Sequence, residues 1–217
     1  MKQRKATYLL PAAADPEVWT VTVKVMDRSG ALVAEGSLDV PFDPVRIRQV
    51  LSFRPTAECW VDETRPDLNL GGDDALHVNG APGAIPYLRF EVTGLTAPVQ
   101  SAWLELEATG ASSSGGAVHA VSDNSWDEFA ITYNNRPGFE GPALDTVGAV
   151  SAGDLIALDV TPAIGRDGTY SFAIGSTGNE PWAVRSRAAS AETPMLFIAL
   201  ERDPESSEPN FGRGEQR

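Results

Sequence analysis

The sequence predicts an all-β protein, an antiparallel jelly-roll β-sandwich with an N-terminal β-hairpin extension. Three observations predict it. Apolar residues recur with a period of two, the strand-like runs are short and numerous, and the separating segments are dense in Gly, Pro, Asn, Asp and Ser. No segment of 12 residues has helical periodicity. The 217 residues divide into a hairpin arm at 1–50, a sandwich at 51–201 and a polar tail at 202–217.

The hairpin comes first. Trp19, Val21, Val23 and Val25 alternate with Thr20, Thr22 and Lys24, and Asp27-Arg28-Ser29-Gly30 turns the chain into Ala31–Val40. Pro41 and Pro44 close the second strand. The run EVWTVTVKVMDRSGALVAEGSLDV resembles the last two strands of an immunoglobulin-like or PKD-type sandwich. Forty residues are too few to complete such a domain, so this hairpin needs the rest of the chain or another chain to pack against.

From Leu51 onward the predicted strands are 57–62, 75–79, 86–92, 101–108, 117–122, 129–133, 144–149, 155–160, 169–175, 182–187 and 195–201. Separators such as RPDLNLGGDD, TGASSSGG and NNRPGFEGP supply the turns. Many short strands at this spacing make a sandwich. The pleat then assigns faces. Leu88, Phe90 and Val92 point inward, as do Leu104 and Leu106, Phe172 and Ile174, and Cys59 and Val61. Tyr87, Arg89, Trp103 and Trp60 fall on the opposite, nominally wet faces. The tail 202–217 is rich in Glu, Pro, Ser, Gly and Arg, with nothing to bury, and reads as an extended arm.

Charge narrows the function. Residues 51–200 hold 7 basic and 19 acidic side chains, and no lysine follows Lys24. Such a surface repels phosphate backbones and anionic lipid heads, which argues against nucleic acid and membrane as partners. No apolar run is long enough to cross a bilayer as a helix. Met1–Lys5 has the charge of a signal n-region, but Tyr8-Leu9-Leu10 is too short for the apolar core of a secretory signal. One cysteine, Cys59, excludes an intramolecular disulfide and reads as a small buried hydrophobe.

Specific phrases then follow in order: ECWVDETRPDLNLGGDDALHVNG, YLRFEVTGL, SAWLELEAT, VSDNSWDEFAITYNNRPGF, ALDVTPAI, GTYSFAIGS and PMLFIAL. Across roughly residues 53–200 the chain resembles the DNRLRE-type β-sandwich domain, grouped with carbohydrate-binding module family 96. The most specific piece is Asp123-Asn124-Ser125-Trp126 with Ile131-Thr132-Tyr133-Asn134-Asn135, where the family usually has Trp in place of Tyr133. The resemblance implies a jelly roll without catalysis of its own, found in secreted polysaccharide-active enzymes and surface proteins. It implies an extracellular or cell-surface location and a polysaccharide or surface glycan as partner. The DNSW…TYNN residues read as a fold signature in which Trp126 seals one end of the sandwich.

The residues themselves carry little catalytic chemistry. His77 and His119 have no adjacent nucleophile motif, and no G-x-S-x-G, H-E-x-x-H or Walker A pattern occurs. The acidic, Gly-rich stretch after strand 57–62 is the candidate metal site. Asp62, Glu63, Asp67 and Asn69, with Asp73 and Asp74 beyond them, supply the oxygens a structural calcium takes, or else a solvated loop of local Asx turns. For a glycan, Trp60, Tyr87, Trp103 and Trp182 are the candidate stacking rings. Arg89, Arg185 and Arg187 are candidate forks for a uronate carboxylate, or else partners for neighbouring acids. Two readings follow: a non-catalytic carbohydrate-binding or adhesion module, and alternatively a structural virion or extracellular-assembly protein. The second would contact other protein chains through residues 1–50 and the tail.

Overall fold

A computed structural model describes residues 17–26, 32–42, 49–139, 141–189 and 193–201. They fall in two units, one containing the hairpin and one spanning Arg48–Glu201. In the first, β1 (Glu17–Met26) and β2 (Leu32–Phe42) pair antiparallel, with Val21 opposite Leu38 and a register shift between Val25 and Met26. The expected turn at 27–30 and the expected C-terminal arm lie outside the described residues.

The larger unit is a β-sandwich. Its strands are β3 (Gln49–Phe53), β4 (Ala57–Asp62), β5 (Ala75–Val78), β6 (Ala84–Val92), β7 (Val99–Glu107) and β8 (Gly116–Val121). They continue with β9 (Asp145–Val147), β10 (Leu155–Asp159), β11 (Gly168–Ser176), β12 (Trp182–Arg185) and β13 (Met195–Leu200). One sheet has the order β10-β7-β13-β3, the other β4-β6-β11-β8-β9, and β12-β5 form a separate ribbon. All of these pairs are antiparallel. The ribbon extends the four-stranded sheet: Ala108 bridges Val184, and the Thr109 N–H donates to the Ala183 carbonyl.

Alternation of apolar side chains explains the core. Leu88, Phe90, Phe172 and Ile174 of the five-stranded sheet and Leu104 and Leu106 of the other are all fully buried. Leu158, Leu196 and Ile198 complete the facing row, and the Phe90 and Phe172 rings lie 6.2 Å apart. Inward packing of these rows is the main stabilising term of the fold.

Two elements differ from expectation. Gln49–Phe53 is a strand that the alternation of Leu51 and Phe53 announces only weakly. The predicted strand at 129–133 is instead a turn, because Asp127 takes the local backbone donors. Its side chain accepts from the Phe129 N–H, and its carbonyl from Ala130 and Ile131. That turn belongs to a lid, residues 123–139, which lies over the outer face of the five-stranded sheet. Trp126 is buried there against Tyr87, with ring centroids 6.1 Å apart, and its Nε1–H donates to Ser171 Oγ at 3.1 Å. It therefore covers a sheet face and does not seal an end.

Truncating Phe90 or Phe172 to Ala should lower unfolding free energy by about 3–5 kcal/mol, since each leaves a cavity between two packed sheets. Urea unfolding measures this, and a loss below about 1 kcal/mol would mean that the core lies elsewhere.

Candidate functional site

Register decides which expected ligand residues can meet. Cys59 lies opposite Tyr87, and Trp60 opposite Pro86. Trp60 thus shares the inner side with Leu88, while Tyr87 is on the outer side with Cys59 and Val61. Trp103 belongs to the other sheet. Hence Trp60, Tyr87 and Trp103 occupy three different surfaces, and the expected continuous platform does not form.

Trp60 is buried under the ribbon, its Nε1–H donating to Asp73 at 2.9 Å and its ring 4.5 Å from His77. Tyr87 is fully buried beneath the lid, its hydroxyl donating to the Pro137 carbonyl at 2.8 Å. Burial pushes its phenol up to about 12. Trp182 is also buried, with its Nε1–H on the Gly115 carbonyl at 3.1 Å. None of these three rings is open to a ligand.

The three arginines are spent inside the protein. Arg89 donates to the carbonyls of Asn124 (3.1 Å) and Trp126 (2.5 Å) and lies over the Trp126 ring, clamping the lid. Arg185 forks onto Glu107 at 2.9 and 2.8 Å, which holds that carboxyl below its usual range. Arg187 contacts both Glu128 oxygens at 2.8 and 2.6 Å, and its backbone N–H donates to Glu58 at 2.7 Å. Of the expected uronate forks, Arg185 and Arg187 are thus in intramolecular ion pairs and Arg89 is on backbone carbonyls.

The expected calcium ligands are likewise loop struts. Asp62 accepts from the Thr64 N–H and hydroxyl and from Arg65 Nε, all within 2.8 Å. Burial alone would raise its pKa, but these bonds outweigh it and hold the carboxyl low. Glu63 accepts from Gly83 N–H at 2.6 Å, and Asp67 from the Asn134 amide at 2.7 Å. Asn69 donates to the carbonyls of Glu128 and Ile131, tying the loop to the lid. These four side chains do not converge, and among the described residues no three His, Cys, Asp or Glu are grouped to hold an ion.

Trp103 remains. It projects from the outer face of the four-stranded sheet and is directly opposite Phe197 of β13. The rings stack nearly parallel, 16° apart with centroids at 5.4 Å, and both are half-buried. Val50 and Leu155 stand exposed on the same sheet at 49% and 64%. Glu105 and the Arg185-paired Glu107 continue the outer row of β7, so the sheet brings Trp103 and Arg185 to one surface. Among the described residues the Trp103 indole N–H has no acceptor, whereas Trp60, Trp126 and Trp182 each have one. Phe197 was not foreseen as a site residue. In PMLFIAL both alternating rows are apolar, so no polar row marks the wet face. Phe129 is more exposed, at 70%, but stands singly at the lid's turn.

Fold and surface together are those of a β-sandwich module with an aromatic pair open on one sheet. The family model for carbohydrate-binding module family 96 matches residues 49–200. The chain belongs to that family. It is also similar to a gellan lyase from a Bacillus species, 26% identical over 166 residues. That match covers 69% of this chain and 7% of the lyase, so the chain spans a small part of its relative's length.

Glu58 supplies a pH test. It is buried beside Arg187 with Oε2 unpartnered, and desolvation raises its pKa from 4.5 to about 7 against the opposing pull of Arg187. Below 4.5 folded and unfolded chains both hold this proton, so burial carries no charge penalty. Between 4.5 and about 7 only the folded state keeps it, and stability falls as pH rises. Glu58→Gln should therefore match the parent near the low end and exceed it by about 3 kcal/mol above the high end. Identical slopes of unfolding free energy against pH in parent and variant would refute that account.

Proposed function

We propose that this chain is a non-catalytic module that holds polysaccharide on the outer face of the four-stranded sheet, outside the cell or at its surface. The observation that carries the reading is the Trp103–Phe197 pair. Sugar rings present C–H faces that pack on flat aromatic surfaces, and their rims carry hydroxyls that need partners. The paired rings offer the first and the unpartnered Trp103 N–H the second. Membership of a carbohydrate-binding family supports the same reading, and the lyase relative makes gellan the polysaccharide to try. The strongly shifted groups Glu58, Cys59 and Tyr87 are enclosed in packing away from that surface, which favours binding over chemistry. Neither comparison points to a virion component.

Trp103→Ala should cut retention on a gellan gel by at least about tenfold while unfolding free energy moves by under about 1 kcal/mol, since the ring is half-exposed. Affinity electrophoresis and urea unfolding read the two quantities. Unchanged retention by both Trp103→Ala and Phe197→Ala would remove the platform from the reading.

A further inference from the structure

A cleft of about 690 Å³ opens between the lid and the start of β11, on neither of the surfaces described above. Its origin is topological. β8 pairs with β11 only as far as Val121 opposite Ser171, whereas β11 runs on to Gly168 paired with β6 alone. The chain leaves β8 at Ser122 to become the lid, and the space where β8 would have continued is the cleft. Ser122, Asp123 and Asn124 form one wall, Pro137 the lid side, and Thr169 and Tyr170 the strand edge.

We propose that this cleft is a second binding site, taking one uncharged sugar unit of a polysaccharide chain; this rests on the carbohydrate-binding reading above. Size permits it, since small-ligand pockets run from about 300 to 1,000 Å³. The polar groups favour it. Asn124 is fixed through its carbonyl by Arg89, yet its buried side-chain oxygen has no partner. A buried acceptor left unpaired is costly, and a ligand hydroxyl would satisfy it once the amide turns toward the cleft. Asp123 uses one carboxylate oxygen for Ser125, with Oδ2 outside those bonds, and Thr169 is exposed. The Tyr170 ring, held by its hydroxyl on the Arg166 carbonyl at 2.7 Å, lies on the inner side of β11 with Phe172, and Pro137 gives an apolar contact from the lid side.

Charge selects the class of ligand. No Lys or Arg lines the cleft and Asp123 is its one charged group, so a uronate or phosphate would meet repulsion without a counter-charge. An extended peptide adding to the edge of β11 is the other chemistry such a gap invites. Only Gly168–Tyr170 lack a strand on that side, so an added peptide would gain no more ladder than the three-residue β8–β9 pairing, the shortest in the sandwich.

The test follows backbone and side-chain amide signals of isotope-labelled protein as short gellan oligosaccharides are added, in the parent and in Trp103→Ala. Shifts are expected at Asn124, Thr169 and Tyr170 in both proteins. Asn124→Ala, and independently the near-isosteric Thr169→Val on the exposed edge, should each weaken fragment binding by about tenfold with the fold unchanged. Shifts confined to β7 and β13, or fragment binding indifferent to both cleft variants, overturn the cleft and leave the polysaccharide reading intact. Retention of the parent on gellan with no fragment shift anywhere does the same. Absence of both retention and shifts overturns both. A peptide of alternating Thr and Val that shifts the same signals when the oligosaccharides do not would replace the sugar by a strand.

Discussion

The five-stranded sheet is apolar on both faces, and most of the structure follows from having to cover the second one. Cys59, Val61, Tyr87, Val121 and Ala173 are outward-pointing by register yet buried. The inner sheet cannot reach them. The lid does, and an irregular segment that covers a core face must satisfy its own backbone polar groups. Hence the side chains spent on it: Asn69 and Arg89 hold its carbonyls, Ser171 takes the Trp126 N–H, and the Tyr87 hydroxyl meets Pro137. Arg187 anchors Glu128, and Glu58 is caught beside that pair as a buried acid without a full set of partners. Replacing both carboxylate and guanidinium by apolar groups would be tolerated better than removing one alone, because a lone buried charge is the costlier state.

How far this was legible in the sequence depends on which inference was asked of it. Period-two alternation places Leu88, Phe90, Leu104, Leu106, Phe172 and Ile174 in the core, and a one-residue slip would have moved every one of them to the wrong side. The same rule puts Tyr87 and Arg89 on the outer side of their sheet, where they are. It misleads only in equating that side with solvent. In β4 the rule fails outright: AECWVD has six buried residues, and nothing in its pattern says that Trp60 and not Cys59 faces the inner layer. Register with β6 settles that, and register is a property of two strands. Asp127 shows a third limit, since a single Asx turn converts the strand-like FAITY into the bend of the lid.

The arginines bear on what the module can hold. Arg54, Arg65, Arg89, Arg136, Arg185 and Arg187 all donate to groups of the protein itself. In a region with 19 acidic and 7 basic side chains, little positive charge is left to meet an anionic ligand. Contact with polysaccharide on the proposed surfaces would therefore rest on stacking and on hydroxyl hydrogen bonds. Neither depends on charge pairing, so salt should not weaken retention, and on an anionic polysaccharide it should raise it by screening repulsion from the acidic surface.

The two surfaces differ in the kind of discrimination they allow. Stacking on Trp103 and Phe197 is broad: any sugar face of suitable flatness gains from it, and a chain can slide along the rings with little loss. The cleft is directional. A hydroxyl that reaches the Asn124 oxygen gains a hydrogen bond, and one displaced by a bond length leaves that acceptor unpaired, which is the larger penalty. The surfaces also belong to different sheets, whose layers stand about 10 Å apart, so one straight segment of ligand cannot lie on both. A long chain must bend around the sandwich edge to use them together, and otherwise two chains occupy them at once. In the second case each module would tie two strands of a polysaccharide network, with affinity supplied at the proposed aromatic platform and selectivity at the proposed cleft.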